Sequence, residues 1–315
     1  MRYAHLGRSS VQVSRLVLGT MNFGSYANEQ DAHMIMDLAF EGGINFFDTA
    51  DVYGGAQGSG YTEEIIGRWL KKSGHRDNMF LATKVYGKMS ADINDRGLSA
   101  FHIRRAAEES LRRLQVDHVD LYQLHHVDRA TRWEEIWQAM DVLVTQGKIT
   151  YVGSSNFAGW HIAQASESAR ARQSLGLITE QSHYNLLTRD IELEVIPAAQ
   201  NYGMSVIGWS PLAGGALVGG DGVRRSTSPS DPATERQSAQ WLQLCSEVGI
   251  APSELALAWM LHRPGVHGPI IGPRTPDQLA TAQTAVDVAL DESLLARLDV
   301  LFPGPAAPAP EAYAW

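Results

Sequence analysis

Eight short runs, almost wholly apolar, recur along the chain at 16–19, 45–48, 80–85, 119–125, 149–153, 178–181, 205–209 and 269–271. A strand with one face in water alternates polar and apolar residues. Runs that do not alternate are covered on both faces, as in a parallel sheet. Longer amphipathic stretches lie between them. Over 99–114, Ile103, Ala106, Ala107, Ser110, Leu111 and Leu114 form one stripe, with the Arg and Glu residues mostly outside it. Stretches 133–144 and 191–199 repeat this helical pattern. Eight strands that each lead into a helix predict a (β/α)8 barrel. A doubly wound open sheet usually carries a Gly-x-Gly-x-x-Gly turn after its first strand, which 18–24 lacks. Ahead of the first barrel strand, 3–6 and 11–13 flank Gly-Arg-Ser-Ser and read as a hairpin closing the barrel floor. No composition break divides the 315 residues, so one domain, 1–315, is expected.

Charge and cysteine usage exclude several classes. Lys plus Arg is 26 and Asp plus Glu is 35, a net charge of −9, which argues against a nucleic-acid surface. The single cysteine, Cys245, excludes an internal disulfide framework and a multi-cysteine zinc site, and falls in a helical pattern as a small core residue. The N-terminal residues lack a signal-peptide core, and no run of about 20 apolar residues exists to span a membrane. The expectation is a cytoplasmic protein whose partner is a small molecule, with no membrane or nucleic-acid partner; the oligomeric state stays open. Two segments break the pattern. The Gly/Ser/Pro-rich stretch 212–235 is long for an ordinary connection. The Pro/Ala tail 303–315 carries Tyr313 and Trp315, as a frayed end or as a flap over a pocket.

In a barrel of this kind, chemistry sits where the strands end. The second strand ends in Asp48, the third reaches Lys84, and Tyr53 follows on the loop after the second. An isolated buried charge is very costly, so Asp48 and Lys84, on neighbouring strands, are expected to pair. An ammonium beside Tyr53 is expected to pull the phenol below its usual value of about 10, making it a better proton donor. His125, ending the fourth strand, supplies a donor for a carbonyl oxygen. Singly, each residue reads more readily as a structural bridge, a core tyrosine or a core histidine; four on three successive strand ends do not. No Gly-x-Ser-x-Gly, His-Glu-x-x-His or phosphate-loop motif occurs. His125 and His126, consecutive on a strand, point to opposite faces, and no metal site is expected.

These residues resemble the aldo-keto reductase superfamily. Asp48, Tyr53, Lys84 and His125 match its catalytic tetrad in order. Agreement continues in Asn45-Phe46-Phe47-Asp48-Thr49-Ala50-Asp51-Val52-Tyr53-Gly54, in Val152-Gly153-Ser154-Ser155-Asn156-Phe157, in Gln181 with Tyr184-Asn185, in Trp209-Ser210-Pro211-Leu212 and in Ile270-Ile271-Gly272-Pro273-Arg274. The resemblance implies a reduced nicotinamide cofactor, NADPH, across the barrel top. By it, Ser155, Asn156 and Gln181 hold the carboxamide, Trp209 stacks on the ring, and Gly19, Thr20, Met21 and Asp48 lie beneath. Ser210, Pro211 and Leu212 begin the loop over the pyrophosphate, which Gly215 and Arg225 extend, and Gly272 flanks Arg274.

Physics adds to that assignment at the last strand. Thr275-Pro276-Asp277-Gln278 reads as a capping box with Pro in the first turn. Arg274 then precedes a helix N-terminus, where the helix dipole disfavours a cation unless an anion binds there too. Arg274 therefore points to the 2′-phosphate of NADPH, with Gln278 nearby. The family's Asn four residues after this Gln is here Ala282, which weakens the case for strict NADPH preference. Phe23, Tyr26, Tyr86 and His126 are the substrate candidates, with the tail aromatics. The reaction implied is reduction of an aldehyde, ketone or keto-sugar. The closest look is to actinobacterial reductases of nucleotide-activated deoxysugars; a broad aldehyde or ketone reductase fits equally. Two alternatives stay open: a cofactor-binding partner protein like the potassium-channel β subunits, and a nucleotide-sugar enone reductase. An intact His125 favours carbonyl reduction over both.

Overall fold

The computed structural model describes residues 1–219 and 232–314, the last two by backbone alone. An antiparallel hairpin, β1 (Tyr3–His5) and β2 (Gln12–Ser14), comes first. Eight strands follow: β3 (Val17–Gly19), β4 (Phe46–Asp48), β5 (Phe80–Val85), β6 (Val119–Leu124), β7 (Ile149–Ser155), β8 (Leu177–His183), β9 (Ser205–Trp209) and β10 (Val266–Ile271). Each pairs in parallel with the next, and β10 closes against β3. The chain is a closed (β/α)8 barrel with an N-terminal hairpin, as its apolar runs predict.

Two cores result from the two faces of each strand. Val17, Phe46, Phe80, Ala82, Leu121, Ile178, Ile207 and Ile270 fill the barrel, and Leu6 and Val13 of the hairpin plug it from below. Leu18, Phe47 and Leu81, one residue on, pack outward against the helices. Helix Ala100–Leu114 shows the rule: Ser99 caps it by accepting from the His102 amide, and the predicted stripe is its buried face. At the floor, Gly7 has φ +56, and a Cβ there would stand 2.3 Å from the Ile178 carbonyl oxygen, so only glycine lets the hairpin close against β8.

Side chains on a strand alternate, so the residue two beyond an inward apolar one also faces inward, higher up. Asp48 follows Phe46, Lys84 follows Ala82, Gln123 follows Leu121 and Trp209 follows Ile207. On β8, Ile178 and Gln181 are three apart yet both face the interior. The register of β7 against β8 shifts between Val152 and Gly153, and one extra residue on β8 reverses the alternation.

Two expectations are corrected. The pattern at 191–199 is not one helix but a single turn, Asp190–Glu192, followed by helix Val195–Asn201. The stretch 212–235 is not one loop: Ala213–Gly215 forms a short turn, and 232–235 already belong to helix Pro232–Val248, where Pro232 suits the first turn. Residues 220–231, with Arg225, lie outside the described residues, as do Trp315 and the Tyr313 side chain. No single helix among the described residues is long and apolar enough to cross a membrane.

His267 on β10 ties barrel to hairpin. It is 4 % exposed, its Nε2 lies 2.9 Å from the Ser14 carbonyl oxygen, and burial pulls its pKa from 6.5 to about 4. Folded, it stays neutral down to that pH; unfolded, it takes up a proton near 6.5. Stability is therefore full above 6.5 and falls as pH drops towards about 4, by about 3 kcal/mol from this group. Urea unfolding should show the loss between about pH 7 and pH 4.5, and His267→Gln should flatten it. Equal slopes in both proteins would remove His267 as the cause.

Candidate active site at the upper rim of the barrel

Above the apolar core the inward side chains of Asp48, Lys84, Gln123 and Gln181 are joined by hydrogen bonds. Lys84 is wholly buried, and its Nζ donates to Asp48 Oδ2 at 2.5 Å, to the Thr49 carbonyl at 2.8 Å and to Tyr53 Oη at 3.4 Å. Asp48 Oδ1 accepts from Gln123 Nε2 at 2.8 Å and from Gln181 Nε2 at 2.9 Å. Both carboxylate oxygens are thus occupied, as a buried ion pair requires. Burial acts to lower the Lys84 pKa, but Asp48 and Tyr53 outweigh it and hold the ammonium above its ordinary value.

Tyr53 departs from expectation. Lys84 does act to lower its pKa, but burial is the larger effect and leaves the phenol above 10. It is held protonated rather than poised to ionise. The His125 ring meets the Tyr53 ring edge-on, 5.8 Å between centres. Burial first, then Lys84 and His126, push its pKa down to about 3, so the imidazole is neutral near pH 7. His126, past the end of β6 in a bend, turns elsewhere and packs against Tyr86 at 5.4 Å.

Tyr53 and His125 open onto one end of a cavity of about 730 Å³. Gly19, Thr20, Met21 and Asp48 line it beside them. Ser155, Asn156 and Gln181 form one wall. Asn156 sits at φ +59, its Nδ2 donating to the His125 carbonyl and to Ser155 Oγ, its Oδ1 accepting from Trp209 Nε1 at 3.1 Å. Trp209 lines the cavity with one ring face stacked on His183 at 4.2 Å. Ser210 follows at φ +57, an uncommon conformation for serine and one that collects at binding sites. Pro211, Leu212 and Gly215 continue the wall, and Gly272, Arg274 and Gln278 close the far end, where Ala282 also lies.

That far end is built as the capping pattern predicts, with one change. Thr275 Oγ1 accepts from the Gln278 amide, and Pro276 stands in the first turn. The Gln278 side chain reaches past Thr275 to accept from the Arg274 amide at 3.0 Å, fixing the backbone of Arg274. The Arg274 guanidinium lies over the Tyr26 ring, 6.0 Å from its centre, and has no carboxylate in ion-pair reach among the described residues.

The four substrate candidates separate. Tyr26 lines the cavity, but beside Arg274. Phe23 does not reach it: it is 0 % exposed and packs in the outer core, because the turn that bonds its amide to the Thr20 carbonyl directs the ring inward. Tyr86 and His126 pair with each other and are not among the cavity-lining residues. Two residues were missed. Gln123 stands two before His125 and two after inward Leu121, a spacing that carries the signal. Glu180, next to Gln181, is fully buried, and burial raises its carboxyl to about 7.

A family model described as Aldo/keto reductase family matches residues 15–302. A Bacillus subtilis (strain 168) protein described as uncharacterized oxidoreductase YrpG is 48 % identical over the whole of both chains. Protein tas of Escherichia coli (strain K12) is 32 % identical over 98 % of this chain and 100 % of its own. A probable voltage-gated potassium channel subunit beta of Arabidopsis thaliana is 32 % identical over 91 % of this chain and 92 % of its own.

Proposed function

The chain belongs to the aldo/keto reductase family and is a carbonyl-reducing oxidoreductase, and from that membership we propose that it reduces an aldehyde, ketone or keto-sugar to the alcohol with NADPH, Tyr53 giving the proton. The observation that carries this reading is the Lys84 ammonium, bonded at once to Asp48 and to the Tyr53 hydroxyl at the end of the cavity.

The residues present fit a dinucleotide. Gln181 spends its amide nitrogen on Asp48 and Gln123, which leaves its carbonyl oxygen as an acceptor at the wall. Ser155 and Asn156 stand beside it, Trp209 offers one ring face, and Arg274, with no carboxylate in ion-pair reach among the described residues, lies at the other end. A reduced nicotinamide held there supplies hydride to a carbonyl carbon. Tyr53, held protonated, donates to the oxygen as negative charge grows on it; Lys84 steadies the phenolate left behind; and neutral His125 hydrogen-bonds the same oxygen. Relatives that reduce a C=C bond can carry a carboxylic acid where this chain has His125, so the carbonyl reaction is favoured.

The direct test is loss of reduced-nicotinamide absorbance with a panel of aldehydes, ketones and keto-sugars. Turnover of any of them supports the reading. Tight NADPH binding without turnover of a single member would instead favour a cofactor-binding partner protein; the Arabidopsis relative is described as a probable channel subunit.

Cofactor preference has its own test. Arg274→Ala should weaken NADPH binding by about 1–3 kcal/mol, the range for a lost charge-assisted hydrogen bond, and leave NADH nearly unchanged. Calorimetric titration with both dinucleotides separates the cases, and an equal loss for both would contradict a 2′-phosphate contact. Ala282, where the family often has Asn, offers no side-chain amide to the adenine end, which both dinucleotides share, so the test of preference rests on Arg274.

A further inference from the structure

We propose that Glu180 is a positioning residue for cofactor binding: its buried carboxyl gathers the 154–157 turn and so sets Ser155 and Asn156 at the cavity wall. This rests on the reading of the cavity as a dinucleotide site. Glu180 and Gln181 are neighbours on β8 and face opposite ways. Gln181 points into the barrel towards Asp48, while Glu180 points behind the strand and is fully buried.

Three donors converge on that carboxyl. Ser154 Oγ donates to Oε2 at 2.5 Å, the Phe157 amide donates to Oε1 at 3.0 Å, and Ser182 Oγ donates to Oε1 at 2.8 Å. Two of the three flank Ser155 and Asn156 in sequence. The turn has one specific shape to keep, since Asn156 sits at φ +59, the left-handed region that asparagine enters more readily than most residues with a side chain. The front of the same turn is fastened to the next residue of β8: the Asn156 amide and Ser155 Oγ both donate to the Gln181 carbonyl at 2.9 Å. Glu180 thus grips the turn from behind and Gln181 from in front. Among the described residues no lysine, arginine or histidine forms an ion pair with Glu180. Its bonds run to neutral groups of the turn and of β8, as suits a clamp rather than half of a salt bridge. It contacts neither the cavity nor the tetrad, so its effect on binding passes through Ser155 and Asn156.

The clamp predicts a graded series. Glu180→Asp shortens the side chain by one methylene, so the carboxyl no longer reaches Ser154 and Phe157 together. NADPH should bind about tenfold more weakly by calorimetry, and the KM for NADPH should rise more than kcat falls. Glu180→Gln keeps length and shape: its oxygen accepts from Phe157, its amide donates to Ser154 Oγ, and affinity should return to within a few-fold of the parent. Ser154→Ala removes one donor alone and should shift affinity in the same direction by less, which keeps the test alive if Glu180→Asp does not fold. Parent-like NADPH affinity in folded Glu180→Asp, or in Ser154→Ala where the former does not fold, would overturn the proposal. So would a Gln variant as weak as the Asp variant, which would assign the effect to charge rather than placement. If the parent protein itself bound no dinucleotide, the reading of the cavity would fall, and a role for Glu180 in cofactor binding would fall with it.

Discussion

Tyr53→Phe should lower kcat for carbonyl reduction by about 10²–10⁴, the usual contribution of a positioned acid, while dinucleotide affinity stays within a few-fold. The structure makes this a clean deletion. Tyr53 Oη is the longest of the three contacts of Lys84, at 3.4 Å, and Asp48 with the Thr49 carbonyl still satisfies the ammonium when it is gone. The fold should therefore survive. No neighbour stands in for the phenol: the Lys84 ammonium stays bonded to Asp48 and the Thr49 carbonyl, and His125, with a pKa of about 3, is near pH 7 a neutral imidazole and too weak an acid to replace it. Steady-state kinetics with calorimetry of NADPH would check both halves. Parent-like turnover in the Phe protein would end the assignment of Tyr53 as donor.

How far the sequence alone reaches follows from what each feature depends on. Strand existence, and the meeting of Asp48, Lys84 and His125 at one rim, follow from local apolar runs and from alternation, and both are legible in the chain. Three other features are not local. That Gln123 faces inward shows in its spacing from Leu121 and His125, but its bond to Asp48, two strands away across β5, needs strand order and register together. Gln181 faces inward only because one extra residue on β8 shifts the alternation that would otherwise turn it out. The sign of the Tyr53 shift is a contest between burial and a nearby cation, and sequence can supply the cation but not the depth. Phe23 is the opposite error: an aromatic near a strand end reads as a pocket residue, yet one turn hydrogen bond aims it into the core.

Lys84→Met tests the buried pair from both sides. Methionine nearly matches the lysine stem, so packing is preserved, but Asp48 is left with two amides and no cation. An uncompensated buried carboxylate costs about 3–5 kcal/mol, which should appear as a lower urea midpoint and melting temperature. Turnover should fall further than stability explains, because the Tyr53 phenolate loses the ammonium that steadies it, while burial, already the dominant influence, stays. The two effects separate in the double variant. Asp48→Asn added to Lys84→Met removes the orphaned charge and keeps an acceptor for Gln123 and Gln181, so stability should recover by more than two independent changes would give. Activity should not recover, since the partner of Tyr53 remains absent. A double variant that regains both would make Lys84 a purely structural ion-pair partner, and a single variant that turns over substrate normally would detach the lysine from the proton transfer altogether.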